Sequence, residues 1–125
     1  MANILFVYGT LMKGMRNHVY LEKAKFLEAA ETSPEYELMY NGSIPATRAG
    51  NEPIKGELYE VDDETLAGLD VLEEVSSRLY EKKEAKIGDK QAIIYLGGTI
   101  FDTDTWEKIP DGDYRKLIEA QQKTA

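Results

Sequence analysis

With 125 residues, 42% of them hydrophobic and 30% charged, the chain has the composition of a soluble globular protein and enough length for one core. A formal charge of −8 opposes phosphate backbones and anionic membrane surfaces, so neither nucleic acid nor membrane is expected as a partner, and a small molecule or a protein is favoured. There is no cysteine, which excludes disulfides and thiolate chemistry, and no run approaches the about 18 apolar residues of a membrane span. The plain expectation is a single domain over residues 1–125, monomeric by default, in the cytoplasm.

Strand patterns dominate. The apolar run Ile4–Tyr8 reads as a buried strand that breaks off at Gly9-Thr10. A short helical turn is expected near Asn17–Leu21, followed by strands at about Lys25–Ala30, Glu35–Tyr40 and Ile54–Val61. Asp62 or Asp63 then offers an N-cap to a helix over Asp63–Glu74, with Leu66, Leu69 and Leu72 as its apolar stripe. Strands at about Leu79–Ile87 and Gln91–Leu96 flank Gly88-Asp89, a pair suited to a tight hairpin. A last helix follows Pro110-Asp111-Gly112-Asp113, with Tyr114, Leu117 and Ile118 on one face. Strands and helices that do not alternate regularly indicate an α+β fold with a mixed, mostly antiparallel sheet.

Most site chemistries are excluded by what the chain lacks. His18 is the single histidine, so a multi-histidine metal site is not expected, and no G-x-S-x-G elbow accompanies it. Neither G-x-G-x-x-G nor a Walker pattern occurs, so no nucleotide cofactor is expected. Carboxylate chemistry remains. On the helical wheel Glu73 lies at about −20° from Leu66, alongside the apolar stripe, whereas Glu74 lies at about +80°. A carboxylate in that position, in the last turn of a helix, has its pKa raised both by burial and by the helix dipole, which suits proton transfer. A frayed helix end with a solvated Glu73 fits the same spacing. The Gly9-Thr10 break has two readings as well. It is an ordinary strand exit, or a loop whose main-chain N–H groups hold a carboxylate or carbonyl oxygen.

The ordered set Tyr8-Gly9-Thr10-Leu11, Gly14, Asn17-His18, Pro45, Gly56-Glu57-Leu58-Tyr59-Glu60-Val61, Leu69-Asp70-Val71-Leu72-Glu73, Tyr80 and Gly112-Asp113-Tyr114 resembles the γ-glutamyl cyclotransferase-like family. The resemblance runs from about residue 4 to residue 115. It implies a small, mostly antiparallel, barrel-like sheet flanked by two or three helices. It implies substrate binding by Tyr8, Gly9, Thr10 and Leu11, with Tyr80 and Tyr114 as further lining residues and Glu73 as the catalytic acid/base. The implied reaction closes a γ-glutamyl compound, such as a γ-glutamyl amine, to 5-oxoproline and releases the amine, with neither metal nor cofactor. The alternative is a binding or regulatory domain that keeps the pocket without turnover. The chain departs from the family pattern at Glu74, where many members have Gly, and at Lys82, where Arg is frequent.

Overall fold

The computed structural model describes residues 3–15, 18–42, 45–72, 80–87, 89–97 and 105–124. In chain order these form β1 (Asn3–Val7), a 3-10 turn (His18–Leu21), β2 (Lys25–Glu31), β3 (Tyr36–Tyr40), β4 (Pro45–Ala49) and β5 (Lys55–Val61). There follow α1 (Asp63–Leu72), β6 (Tyr80–Ile87), β7 (Lys90–Gly97), β8 (Glu107–Lys108), a second 3-10 turn (Pro110–Gly112) and α2 (Tyr114–Thr124). One sheet has the order β2-β5-β1-β7-β6 and a smaller one the order β4-β3-β8. Every pairing is antiparallel except β1 with β7. The fold is therefore α+β with a mixed, mostly antiparallel sheet, as the sequence pattern predicts.

β1 lies at the centre of the larger sheet, and Leu5, Phe6 and Val7 are all buried, as expected of a strand covered on both faces. Leu58, Ile94, Leu69 and Ile54 are fully buried in the same core, each worth about 1.5–3 kcal/mol of apolar transfer. β2 and β6 are the two edges, and the sheet curls until they face each other. Lys90 at the start of β7 reaches Glu28 on β2 at 3.5 Å. Between the edges lies an open groove of about 620 Å³, lined by Glu31, Thr32 and Ser33 on one side and Lys83 to Lys86 on the other.

Both helices begin on the caps their sequences offer. Asp62 Oδ1 accepts the Thr65 N–H at 2.7 Å, which starts α1, and Asp113 Oδ1 accepts the Lys116 N–H at 3.1 Å, which starts α2. Leu66 and Leu69 turn inward on α1, while Gly68 and Val71 are exposed. The predicted helix extended to Glu74; α1 is described to Leu72, and Glu73 and Glu74 lie outside the described residues. Ile87 pairs with Lys90, closing the predicted hairpin over two residues, of which Gly88 lies outside the described set.

β4 and β8 were not legible in the sequence. Pro-Ala-Thr-Arg-Ala has no apolar alternation, and β8 is two residues long, so both depend on β3 to complete them. Pro45 fits because it opens an edge strand, where a missing N–H costs nothing.

Candidate active site

The chain leaves β1 at Val7 and enters a loop in which each turn is closed by a main-chain bond. The Met12 N–H donates to Gly9 O (3.1 Å), Met15 N–H to Met12 O (2.9 Å) and His18 N–H to Met15 O (3.1 Å). Gly9 lies flush against the start of β4, where a Cβ would stand 2.6 Å from Pro45 Cγ. Tyr8 is buried and stacks on Phe6, and its hydroxyl donates to Tyr95 O on β7 at 2.5 Å. That bond ties the beginning of the loop to the strand next to β1.

Side chains from other elements hold the rest of the loop. His18 Nδ1 lies 2.9 Å from Leu11 O. A carbonyl oxygen only accepts, so this ring nitrogen carries the proton. The ring stands 5.7 Å from that of Tyr59 on β5. Glu57, also on β5, accepts the Lys13 N–H at 2.9 Å and the Tyr59 hydroxyl at 3.0 Å, both on Oε1. Arg115 on α2 donates from one nitrogen, Nη2, to Lys13 O at 2.7 Å and to Glu57 Oε2 at 3.1 Å. The Glu57 side chain is 14% exposed, so its charge is balanced mainly by this guanidinium and by donors. Burial, and next the neighbouring Glu57 carboxylate, push the Tyr59 phenol well above the usual tyrosine pKa, so it remains the protonated donor of this pair.

The strand register decides what else lies at this end of the sheet. Val7 is paired with Glu57, and the parallel β1–β7 register, Phe6 with Ile94, carries Tyr8 towards the end of β7. β6 begins there, with Tyr80 paired to Gly97. The main chain of Tyr80 and the Tyr8–Leu11 loop thus share one end of the sheet, and the start of α2 joins them through Arg115. Thr10 is half-buried and Leu11 buried. Tyr114 is buried in edge-to-face contact with Tyr40, with ring centroids 6.0 Å apart. Glu73 lies in the segment outside the described residues; the chain enters that segment from Leu72 and leaves it at Tyr80. Among the described residues no group of three or more His, Asp or Glu side chains is placed to hold a metal ion.

The profile of the gamma-glutamyl cyclotransferase, AIG2-like family matches residues 5–116, from β1 through the start of α2. The chain belongs to this family. It is a family of cyclotransferase enzymes, and its fold is seen in solved structures. The crystal structure of an uncharacterised protein from Pyrococcus horikoshii superposes with a TM-score of 0.83 at 28% identity, covering 97% of each chain. A protein of Vibrio cholerae assigned by name to the gamma-glutamylcyclotransferases is 47% identical over 75 residues, which span 60% of this chain and 65% of the relative. The gamma-L-glutamyl-butirosin B gamma-glutamyl cyclotransferase of Niallia circulans is 29% identical over 118 residues, covering 90% of this chain and 75% of that one.

Sequence reasoning gave no role to Glu57 or Arg115 in holding the loop of this cyclotransferase-family chain. Part of the signal was present. Glu57 and Tyr59 stand at i and i+2 of a strand, on one face, in the Gly-Glu-Leu-Tyr motif. Arg115 carried none, because its partners lie 58 and 102 residues away.

Proposed function

We propose that this chain is a cytoplasmic γ-glutamyl cyclotransferase, with Glu73 as its general acid/base and the Tyr8–Leu11 loop as the seat of the γ-glutamyl group. The observation that carries this reading is the placement of the loop. The internal bonds of the loop use the N–H groups of Met12, Met15 and His18, the Lys13 N–H goes to Glu57, and the N–H groups of Gly9 and Leu11 lie outside that set. The helix carrying Leu69-Asp70-Val71-Leu72 feeds the connection that rejoins the sheet at Tyr80, at the loop's own end. The family match spans both parts, and the Niallia relative is named for a γ-L-glutamyl group carried on butirosin B.

The reaction needs no external nucleophile. Glu73 takes a proton from the α-ammonium of the γ-glutamyl unit, freeing its amine. That nitrogen attacks the γ-carbonyl of the same unit, forming a carbon–nitrogen bond and an oxyanion, which loop N–H groups near Gly9–Leu11 stabilise. Collapse of the oxyanion breaks the bond to the leaving amine, which takes the first proton back from Glu73; the freed carboxylate then passes the second proton of the ring nitrogen to that amine, which departs as an ammonium. The products are 5-oxoproline and a free amine. Because nucleophile and electrophile share one molecule, positioning supplies much of the acceleration. Tyr80 and Tyr114 are proposed as further lining residues, and the protein is taken as a monomer.

The test is 5-oxoproline release from a panel of γ-glutamyl amines, γ-glutamyl dipeptides and glutathione. We expect one class to turn over, and Glu73→Gln to lower kcat by about 100-fold or more. Turnover that survives Glu73→Gln would remove Glu73 from the mechanism. Saturable binding with no product from any substrate would favour a binding domain that keeps the pocket.

A further inference from the structure

The main chain of Lys13 is held on both sides of its Cα, its N–H by Glu57 and its carbonyl oxygen by Arg115, which also grips Glu57. We propose that Glu57 and Arg115 are positioning residues: together they clamp Lys13 and so set the main-chain geometry of Gly9–Leu11. The proposal rests on the cyclotransferase reading for what the loop does, and on the geometry alone for how the loop is held.

Three features favour a clamp over a chance surface ion pair. The bonds join segments 44, 58 and 102 residues apart, so they are closed by tertiary structure and not by local chain preference. The carboxylate is engaged on both oxygens by the Lys13 amide, the Tyr59 hydroxyl and the guanidinium, which leaves Glu57 poorly suited to proton transfer and well suited to holding its donors. Arg115 is also delivered by a fixed element. Its neighbour Tyr114 is buried, the capping Asp113 starts the helix, and Gly112, at φ +60°, fits where a Cβ would stand 2.2 Å from Pro53 O. Lys13 is two residues beyond Leu11, so a shift of its peptide is passed directly to the amides proposed to face the γ-carbonyl.

The experiment compares the wild type with Arg115→Met, Glu57→Gln, their double variant and Arg115→Lys. Lys108→Met, which breaks the 2.9 Å pair with Glu52 away from the loop, serves as control. Two readouts are taken: amide hydrogen exchange across residues 9–18, and kcat and KM for 5-oxoproline release. Arg115→Met should speed exchange in that stretch by about tenfold with the rest of the chain unchanged. It should also lower kcat/KM by roughly 30-fold, mainly through kcat, because a misplaced main-chain donor weakens positioning. The double variant should be no more than about threefold worse than the worse single, since both remove one clamp. Arg115→Lys should recover only part of the loss, and Lys108→Met should match the wild type.

Unchanged exchange at 9–18 in both Arg115→Met and Glu57→Gln overturns the clamp. A loosened loop with kcat/KM within about threefold of wild type overturns its role in positioning. If the wild type itself releases no 5-oxoproline, the cyclotransferase reading fails, and exchange alone decides whether these residues hold the loop. If Arg115→Met does not fold, Glu57→Gln and Arg115→Lys carry the same comparison.

Discussion

Replacing Gly56 by alanine tests how β5 and β1 bring the loop and its clamp together. Gly56 is the second residue of β5, and a Cβ built there would lie 2.1 Å from the Val7 carbonyl oxygen and 2.7 Å from Phe6 Cζ. Carbon–oxygen contacts between neighbouring strands are ordinarily about 3.3 Å, so the strands must part by roughly 1 Å. The obstacle is backbone and cannot rotate away. Overpacking of this kind costs about 3 kcal/mol, from which the lower chain entropy of alanine returns about 0.5 kcal/mol. At about 4 °C per kcal/mol for a chain of this size, Gly56→Ala should lower Tm by about 10 °C. Gly68 supplies the contrast. It is exposed in α1 with nothing within 4 Å of a built Cβ, so Gly68→Ala should stabilise by about 0.5–1 kcal/mol. Thermal and urea unfolding followed by circular dichroism measure both. A Gly56→Ala protein as stable as wild type would refute the close approach of β5 to β1, and so would equal losses from the two substitutions.

Other outcomes follow from the same geometry. Tyr8→Phe removes the hydroxyl that donates to Tyr95 O and should cost about 1–2 kcal/mol by urea unfolding with an unchanged m-value. The Thr65 N–H holds the Asp62 carboxyl below its ordinary pKa, so the folded value is the lower of the two. Its contribution to stability is therefore present above the unfolded value of about 3.9 and is lost as pH falls through the folded one. Asp62→Asn should accordingly lose less Tm than wild type between pH 6 and about pH 2.5, and parallel curves would refute this.

Some of the site was legible because it is written locally. The break at Gly9 ends an apolar run, and Asp62 and Asp113 precede helix-forming sequence at cap positions; the structure uses all three in that way. β4 and β8 were not legible, since neither alternates and each is a strand only because β3 lies beside it. The side chains that hold the loop belong with these, with Arg115 the extreme case.

Composition and pattern alone determined an α+β chain with a mixed sheet and an abrupt end to its first strand, while the ordered motifs resemble the cyclotransferase family that the family match then shows. The fold class and the strand end depend on spacing within a few residues, where backbone geometry fixes which side chains share a face. The tertiary structure decided that β1 pairs with β7 in parallel, which puts Tyr80 at the loop's end of the sheet. It also decided that Glu57 and Arg115 close on Lys13. Those contacts join residues far apart in the chain, and only the folded register of five strands and a capped helix brings their donors and acceptors within 3.1 Å.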